Sequence, residues 1–319
     1  MFTEAATGSY LFTPIIAALA GADKVYAYTR DSKYGSKEKV QCKTLEVARQ
    51  HGISNITVLF QKSIECVADS DIITNSGFVR PIDETMINAM KPTAVVPLMF
   101  ETWEFRSSDI DLKKCKEKGI LVLGTNESSF NMLPTVGYLA LKLLFEVGLE
   151  VYKAKVLIIG DNTVGKNIFG VLNNLDINLK FFDGKSKAEE VLANIDQADA
   201  IIVSDIVSDI EYIGKKGILT ANEIAKRNPF IRIIHICGAI DVESIRAERL
   251  FLIPERPATR RFMSYRADYL GPRFAIALNI AGLKVGEVMA RCRLKGMGVR
   301  ETIEYCLKNS PAMDFAEGY

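Results

Sequence analysis

The sequence has very little histidine or tryptophan: two of the first and one of the second in 319 residues. Six cysteines stand at 42, 66, 115, 237, 292 and 306 and include no C-x-x-C pair or regular framework. Together these shortages argue against a Cys/His metal site and for reduced thiols in a cytoplasmic protein. Net charge is also missing. Forty basic against thirty-nine acidic residues leave +1, so no global field draws the chain to nucleic acid or to an anionic membrane. Any charged ligand has to be held by a local cluster. Long apolar runs are absent as well: Leu11 to Ala22 is too short to span a bilayer, and no basic leader precedes it, so neither a membrane span nor export is expected. There is no low-complexity tract and no short-period repeat.

What is present is organised around Lys155 to Leu172, an apolar β-branched strand that runs through a glycine turn into a helix. This reads as the first strand, loop and helix of a dinucleotide fold. Gly160 turns the chain off the strand, the helix start offers free N–H groups to a pyrophosphate, and Gly165 lets helix pack close to strand. Thr163 and Val164 lie in the same turn. The G-x-G-x-x-G fingerprint asks for a second glycine where this chain has Asn162, a residue that tolerates left-handed backbone better than most. A tight strand-to-helix connection is the alternative reading. The next strand, Ile177 to Asp183, ends on an acid 23 residues after Gly160, where a carboxylate for an adenosine ribose belongs.

Length suits two domains. Before the glycine turn the chain alternates strand and helix patterns, which implies a parallel sheet with both faces covered. A second nucleotide-like βα pattern opens it: a very short or absent strand, the glycine loop ending at Gly8, then Lys24 to Thr29 and its end at Arg30 and Asp31. Further strands are expected at 56–60, 70–77, 94–99 and 120–124. Ligands on such sheets sit beyond the strand C-termini. This singles out Ser76, Gly77 and Arg80 after one strand, and Glu101, Trp103 and Glu104 after the next. Arg80 and Glu101 are candidates to hold and polarise a substrate, with a salt bridge between loops as the alternative.

Asn131 to Leu149 reads as an apolar interdomain helix. Beyond the glycine turn, strands end at Ser204 and at Cys237 and Gly238, on the edge where a cofactor would lie. Arg256, Arg260, Arg261, Arg266 and Arg273 crowd into eighteen positions and form a candidate anion clamp, since guanidinium fits carboxylate and phosphate forks. A solvated basic loop is the alternative. A long apolar helix from Pro272 and a shorter one after Gly298 close the chain.

The segment Asp109 to Asn126, the apolar helix after it and the Gly160 loop resemble the D-isomer-specific 2-hydroxyacid dehydrogenases, as does Ser70 to Gly77. The likeness spans about residues 65 to 245. It implies a substrate domain, a cofactor domain, NAD and a homodimer. That family works with an arginine, a glutamate and a histidine. Here no arginine stands between 233 and 241, Glu255 is only faintly like the glutamate, and no histidine follows His235. His235 shares a strand face with Cys237 and is the candidate proton donor in their place, against a hydrogen-bonded core role. Tyr265, Tyr269 and Lys166 are weaker candidates, and His51 reads as a helix C-cap.

The expectation is therefore an α/β chain of two Rossmann-like, doubly wound parallel-sheet domains. Residues 1–130 form the substrate domain, with 272–319 packing back on it; 131–149 is the linking helix and 150–260 the dinucleotide domain. The function expected is NAD-dependent hydride transfer on a small anionic substrate in the cleft between them. Asp183 favours NAD over NADP, because a carboxylate repels a 2′-phosphate. The second expectation is a nucleotide- or S-adenosylmethionine-binding protein with no redox step. No metal, nucleic acid or membrane partner is expected.

Overall fold

The computed structural model describes residues 1–161 and 163–315. The chain divides into two compact units, Met1–Phe130 with Gly271–Tyr319, and Asn131–Leu270. Each is a doubly wound α/β unit on a mainly parallel sheet.

The first unit begins β1 (Phe2–Glu4), α1 (Phe12–Leu19), β2 (Val25–Tyr28), α2 (Lys37–Gln50), β3 (Ile56–Leu59), α3 (Ile64–Asp69), α4 (Glu84–Ala89), β4 (Val95–Pro97), α5 (Leu112–Lys118) and β5 (Leu121–Thr125). The strand expected at the start is present, three residues long. Ser36, Ser63, Asp83 and Asp111 each start a helix by accepting a first-turn N–H on the side chain, as residues of that type do. Strands β1, β2 and β3 pair in parallel, as do β4 and β5. Residues 72–74 join the two halves: Phe2 bridges Ile73, Ile72 bridges Val95, and Thr74 donates its N–H to the Phe2 carbonyl at 3.1 Å. The order across the sheet is β3-β2-β1-(72–74)-β4-β5. It reverses direction between β1 and residues 72–74.

The second unit runs α6 (Thr135–Glu146), β6 (Lys155–Gly160), α7 (Val164–Leu172), β7 (Asn178–Phe182), α8 (Ala188–Ile195), β8 (Ala200–Ser204), β9 (Glu211–Ile213), α9 (Ala221–Arg227), β10 (Arg232–Cys237), β11 (Ala239–Ile240), α10 (Val242–Ala247) and β12 (Phe251–Ile253). Its five-stranded parallel sheet has the order β12-β10-β8-β6-β7. Strand β6 is central, and its apolar run serves both faces. Val156 and Ile158 enter the core under α6 and α7, while Leu157 and Ile159 enter the opposite one with Val191 and Ile224. This is the continuous hydrophobic run of a strand covered on both sides. Helix α6, read from the sequence as a link, buries Leu139, Ala140, Leu143 and Leu144 in this unit.

The chain then returns to the first unit with α11 (Pro272–Leu294), α12 (Val299–Asn309) and β13 (Ala312–Met313). Pro272 occupies the first turn of α11, where its missing N–H leaves no bond unmade. Val285, Val288 and Met289 of α11 pack with Val95, Leu121 and Leu123, and β13 adds antiparallel to β5. The buried Thr13 hydroxyl donates to Asn279 Oδ1 at 3.0 Å, tying α1 to α11.

Candidate functional site

In the second unit the strand order reverses between β6 and β8, so the crevice beyond their C-termini is where a ligand of this fold belongs. Gly160 ends β6 there because nothing larger fits: a Cβ would stand 2.3 Å from the Ser204 carbonyl oxygen. Gly165 is similarly tight against Phe181 and the Ser204 hydroxyl. Ser204 is wholly buried, and this contact is its structural role.

The N–H groups at the start of α7 are not free, as the sequence reading had them. Asp161 Oδ1 accepts from Thr163 at 2.8 Å, Val164 at 2.6 Å and Gly165 at 3.4 Å. Its other oxygen accepts from Ile206 N–H at 2.9 Å, just past β8. Burial, and then the charge of Asp205, raise the Asp161 carboxyl above its ordinary pKa. Asp205 is itself buried, which pushes its pKa up, yet hydrogen bonds from Ser208 and Tyr212 hold it below the usual range. The Tyr212 hydroxyl donates to it at 2.5 Å, and Ser208 donates both N–H and hydroxyl. Asn162, expected in this turn, lies outside the described residues.

Asp183 follows β7. Its Oδ1 closes a local turn by accepting from Lys185 N–H at 2.9 Å, and Oδ2 has no hydrogen-bond partner among the described residues. Cys237 and Gly238 end β10 beside Ser204, with Cys237 buried and Gly238 at φ +119°. His235 is fully buried. Its Nε2 lies 2.9 Å from the Gly238 carbonyl and its Nδ1 2.7 Å from the Ser264 hydroxyl. A carbonyl only accepts, so Nε2 carries the proton and Ser264 donates to Nδ1. Burial lowers the ring's pKa. Both nitrogens are engaged, which is the hydrogen-bonded core arrangement weighed against a proton donor in the sequence. Arg260 and Arg261 both ion-pair with Asp209, Arg261 at 3.6 Å, and Arg266 pairs with Asp268 at 3.0 Å. The loop's charge is thus partly neutralised by acids the sequence reading did not connect to it.

In the first unit, Ser76 shares a buried hydroxyl chain with Thr74 and Thr3, at 2.6 and 2.8 Å. Gly77 is exposed in the loop that follows. Arg80 pairs with Asp109 at 2.9 Å rather than with Glu101. Glu101 is buried and accepts from Trp103 Nε1–H at 2.5 Å and from Glu127 N–H at 2.9 Å. Around it burial, together with neighbouring carboxylates, lifts Glu104 to about 7 and Glu127 to about 8. Two carboxylic acids that keep protons near neutrality therefore flank Glu101 at the carboxyl edge of β4 and β5.

Asp161, Asp205 and Glu127 were missed as site residues. The signal for Asp161 was present, an aspartate two residues before a helix's first turn, which is cap chemistry. Among the described residues no group of three or more His, Cys, Asp or Glu could hold a metal ion, and no helix is long and apolar enough to cross a membrane.

No protein-family model and no curated protein matches the chain by sequence. Solved structures do match by shape. A dipicolinate synthase from Bacillus halodurans is similar at TM-score 0.56 and 12% identity, over 92% of this chain and 97% of its own. The TT0316 protein from Thermus thermophilus is similar at TM-score 0.51 and 15% identity, over 86% and 98%. A 2-hydroxyacid dehydrogenase from Ketogulonicigenium vulgare Y25 aligns at TM-score 0.47 and 12% identity, over 86% and 96%. At these identities the likeness is one of fold, and the two α/β units implied by the sequence resemblance are the units found.

Proposed function

We propose that the chain is a nicotinamide-dinucleotide-linked oxidoreductase, using NAD before NADP, that acts on a small anionic substrate of the 2-oxo or 2-hydroxy acid kind. The observation that carries the reading is the carboxyl edge of the second unit, where the β6–β8 reversal, the glycine turn at Gly160 and the Asp183 carboxylate stand in the order a dinucleotide requires. The bound nicotinamide would supply the hydride chemistry. Asp183 Oδ2 would accept from ribose hydroxyls and disfavour a 2′-phosphate. Arg260, Arg261 and Arg266 would bind substrate carboxylate by leaving Asp209 and Asp268, while Ser76, Gly77, Arg80 and Glu101 are the candidates on the first unit. The fit is incomplete. Gly160, Gly165 and Asp183 suit the nucleotide, whereas the N–H groups for its pyrophosphate are bonded to Asp161, so no catalytic step is derived through the cofactor. A cytoplasmic homodimer belongs to the same reading by resemblance, and native mass determination tests the dimer.

A second reading, an adenosine or S-adenosylmethionine ligand with no redox step, is favoured by the carboxylates of Asp161 and Asp205 at the turn. They suit an uncharged or cationic group better than a phosphate. Fluorescence titration with NADH, beside NADPH and S-adenosylmethionine, separates the two. The first reading expects saturable NADH binding, weaker NADPH binding and loss of affinity in Asp183→Ala. Binding of S-adenosylmethionine alone would move the assignment to the second.

A further inference from the structure

The crevice between β6 and β8 already contains an anion of the protein's own. One Asp161 oxygen sits on the first N–H groups of α7, and the other reaches the Ile206 N–H on the opposite lip, so a single carboxylate spans the place where the strand order reverses. A helix N-terminus presents roughly half a positive charge. A full carboxylate on those N–H groups more than cancels it and leaves the turn negative. Asp205 adds a second negative charge nearby and is held in place by Val207, Ser208 and Tyr212. A phosphate that enters must break the Asp161 bonds and displace its charge, and it meets Asp205 after doing so.

We infer that Asp161 is an internal stand-in for a phosphate, and that its carboxylate decides whether this crevice accepts a phosphate-bearing ligand. Only the ligand's name rests on the dinucleotide reading; the exclusion follows from the carboxylate's own bonds. Asp161 is thus a specificity residue at a cofactor crevice, closing it to phosphates while it stays in place.

The test uses inorganic pyrophosphate as the probe, followed by the thermal shift of the full chain, in the wild type, Asp161→Ala and Asp161→Asn. Alanine removes the acceptor; asparagine keeps an acceptor and removes the charge. The expected result is pyrophosphate binding at least tenfold tighter in the alanine variant than in the wild type, with asparagine between them. Equal affinity in all three, or no gain in either variant, overturns the inference. If the alanine variant does not fold, the asparagine variant decides alone by the same criterion. Repeating the series with NADH keeps the two claims apart. A variant that gains pyrophosphate but never binds NADH leaves the inference standing and removes the dinucleotide reading.

Discussion

The two units close the same position of their sheets in related but unequal ways. In each, an acid at the end of the first strand reaches across the point where strand order reverses and accepts an N–H from the far side. In the first unit Glu4, nearly fully buried, accepts from Phe78 N–H at 2.7 Å, with Arg80 and Arg30 near enough to act on its charge. In the second, Asp161 accepts from Ile206. The difference lies in the second oxygen's work. Asp161 also holds the start of α7, whereas the short 3-10 turn that opens at Gly8 begins without a side-chain cap from Thr7. A shorter acid placed one residue past its strand can serve lip and helix together, whereas a longer one inside the strand serves the lip alone.

The comparison is broken most strongly at its packing. Gly160→Ala puts a methyl 2.3 Å from a backbone oxygen that cannot rotate away, and a loss of about 3 kcal/mol is expected in urea unfolding. A cost near zero would mean that the β6–β8 contact is looser than described. Next come the acids. Glu4→Ala and Asp161→Ala each strand a backbone N–H, and each should lose about 1–3 kcal/mol, with the aspartate toward the upper end because it also caps a helix. A glutamate loss well above the aspartate loss would dissolve the parallel.

The units also differ in how pH acts on them. Glu104 and Glu127 have folded values near 7 and 8, above the ordinary carboxyl value, so the fold prefers their protonated forms. Their contribution is fully present below about pH 4 and is lost as pH rises through those two values. His235 is shifted the other way, below 6.5, so the fold prefers it neutral and its contribution is lost as pH falls below that value. Melting temperature should therefore fall less steeply on the alkaline side in Glu127→Gln and less steeply on the acid side in His235→Gln. The histidine variant is also expected to be less stable throughout, because two buried hydrogen bonds go with the ring. The smallest effect belongs to the arginine loop: Arg260→Gln removes an exposed pair with Asp209 and should change stability by no more than about 0.5 kcal/mol. A larger change would show that the loop is structural rather than available to a ligand.

The fold was legible where the signal is local. Val156 to Ile159 alternate between two cores, Gly160 turns and Pro272 starts a helix, each on residues a few positions apart. The strand through residues 72–74 was expected from 70 to 77 and is much shorter, since Thr74 and Ser76 commit their side chains to a hydroxyl chain beside it. The site was less legible because its bonds join distant positions. Arg80 finds Asp109, Arg260 finds Asp209, and Glu4 finds Phe78 across 74 residues, and no periodicity reports such pairs. Asp161 was the exception. Its cap chemistry was in plain view, but the missing glycine beside it drew the reading toward backbone shape and away from charge.

Strand β13 lies along β5, and α11 fills the same unit's core, so residues after 270 finish a sheet begun at Phe2. During synthesis the whole second unit leaves the ribosome before that closure is possible. The inserted unit can fold while the host still exposes the free edge of β5 and the apolar side of Val95 and Leu123. That interval, set by the order of the chain rather than by any bond in the finished protein, is when this molecule is most open to wrong partners.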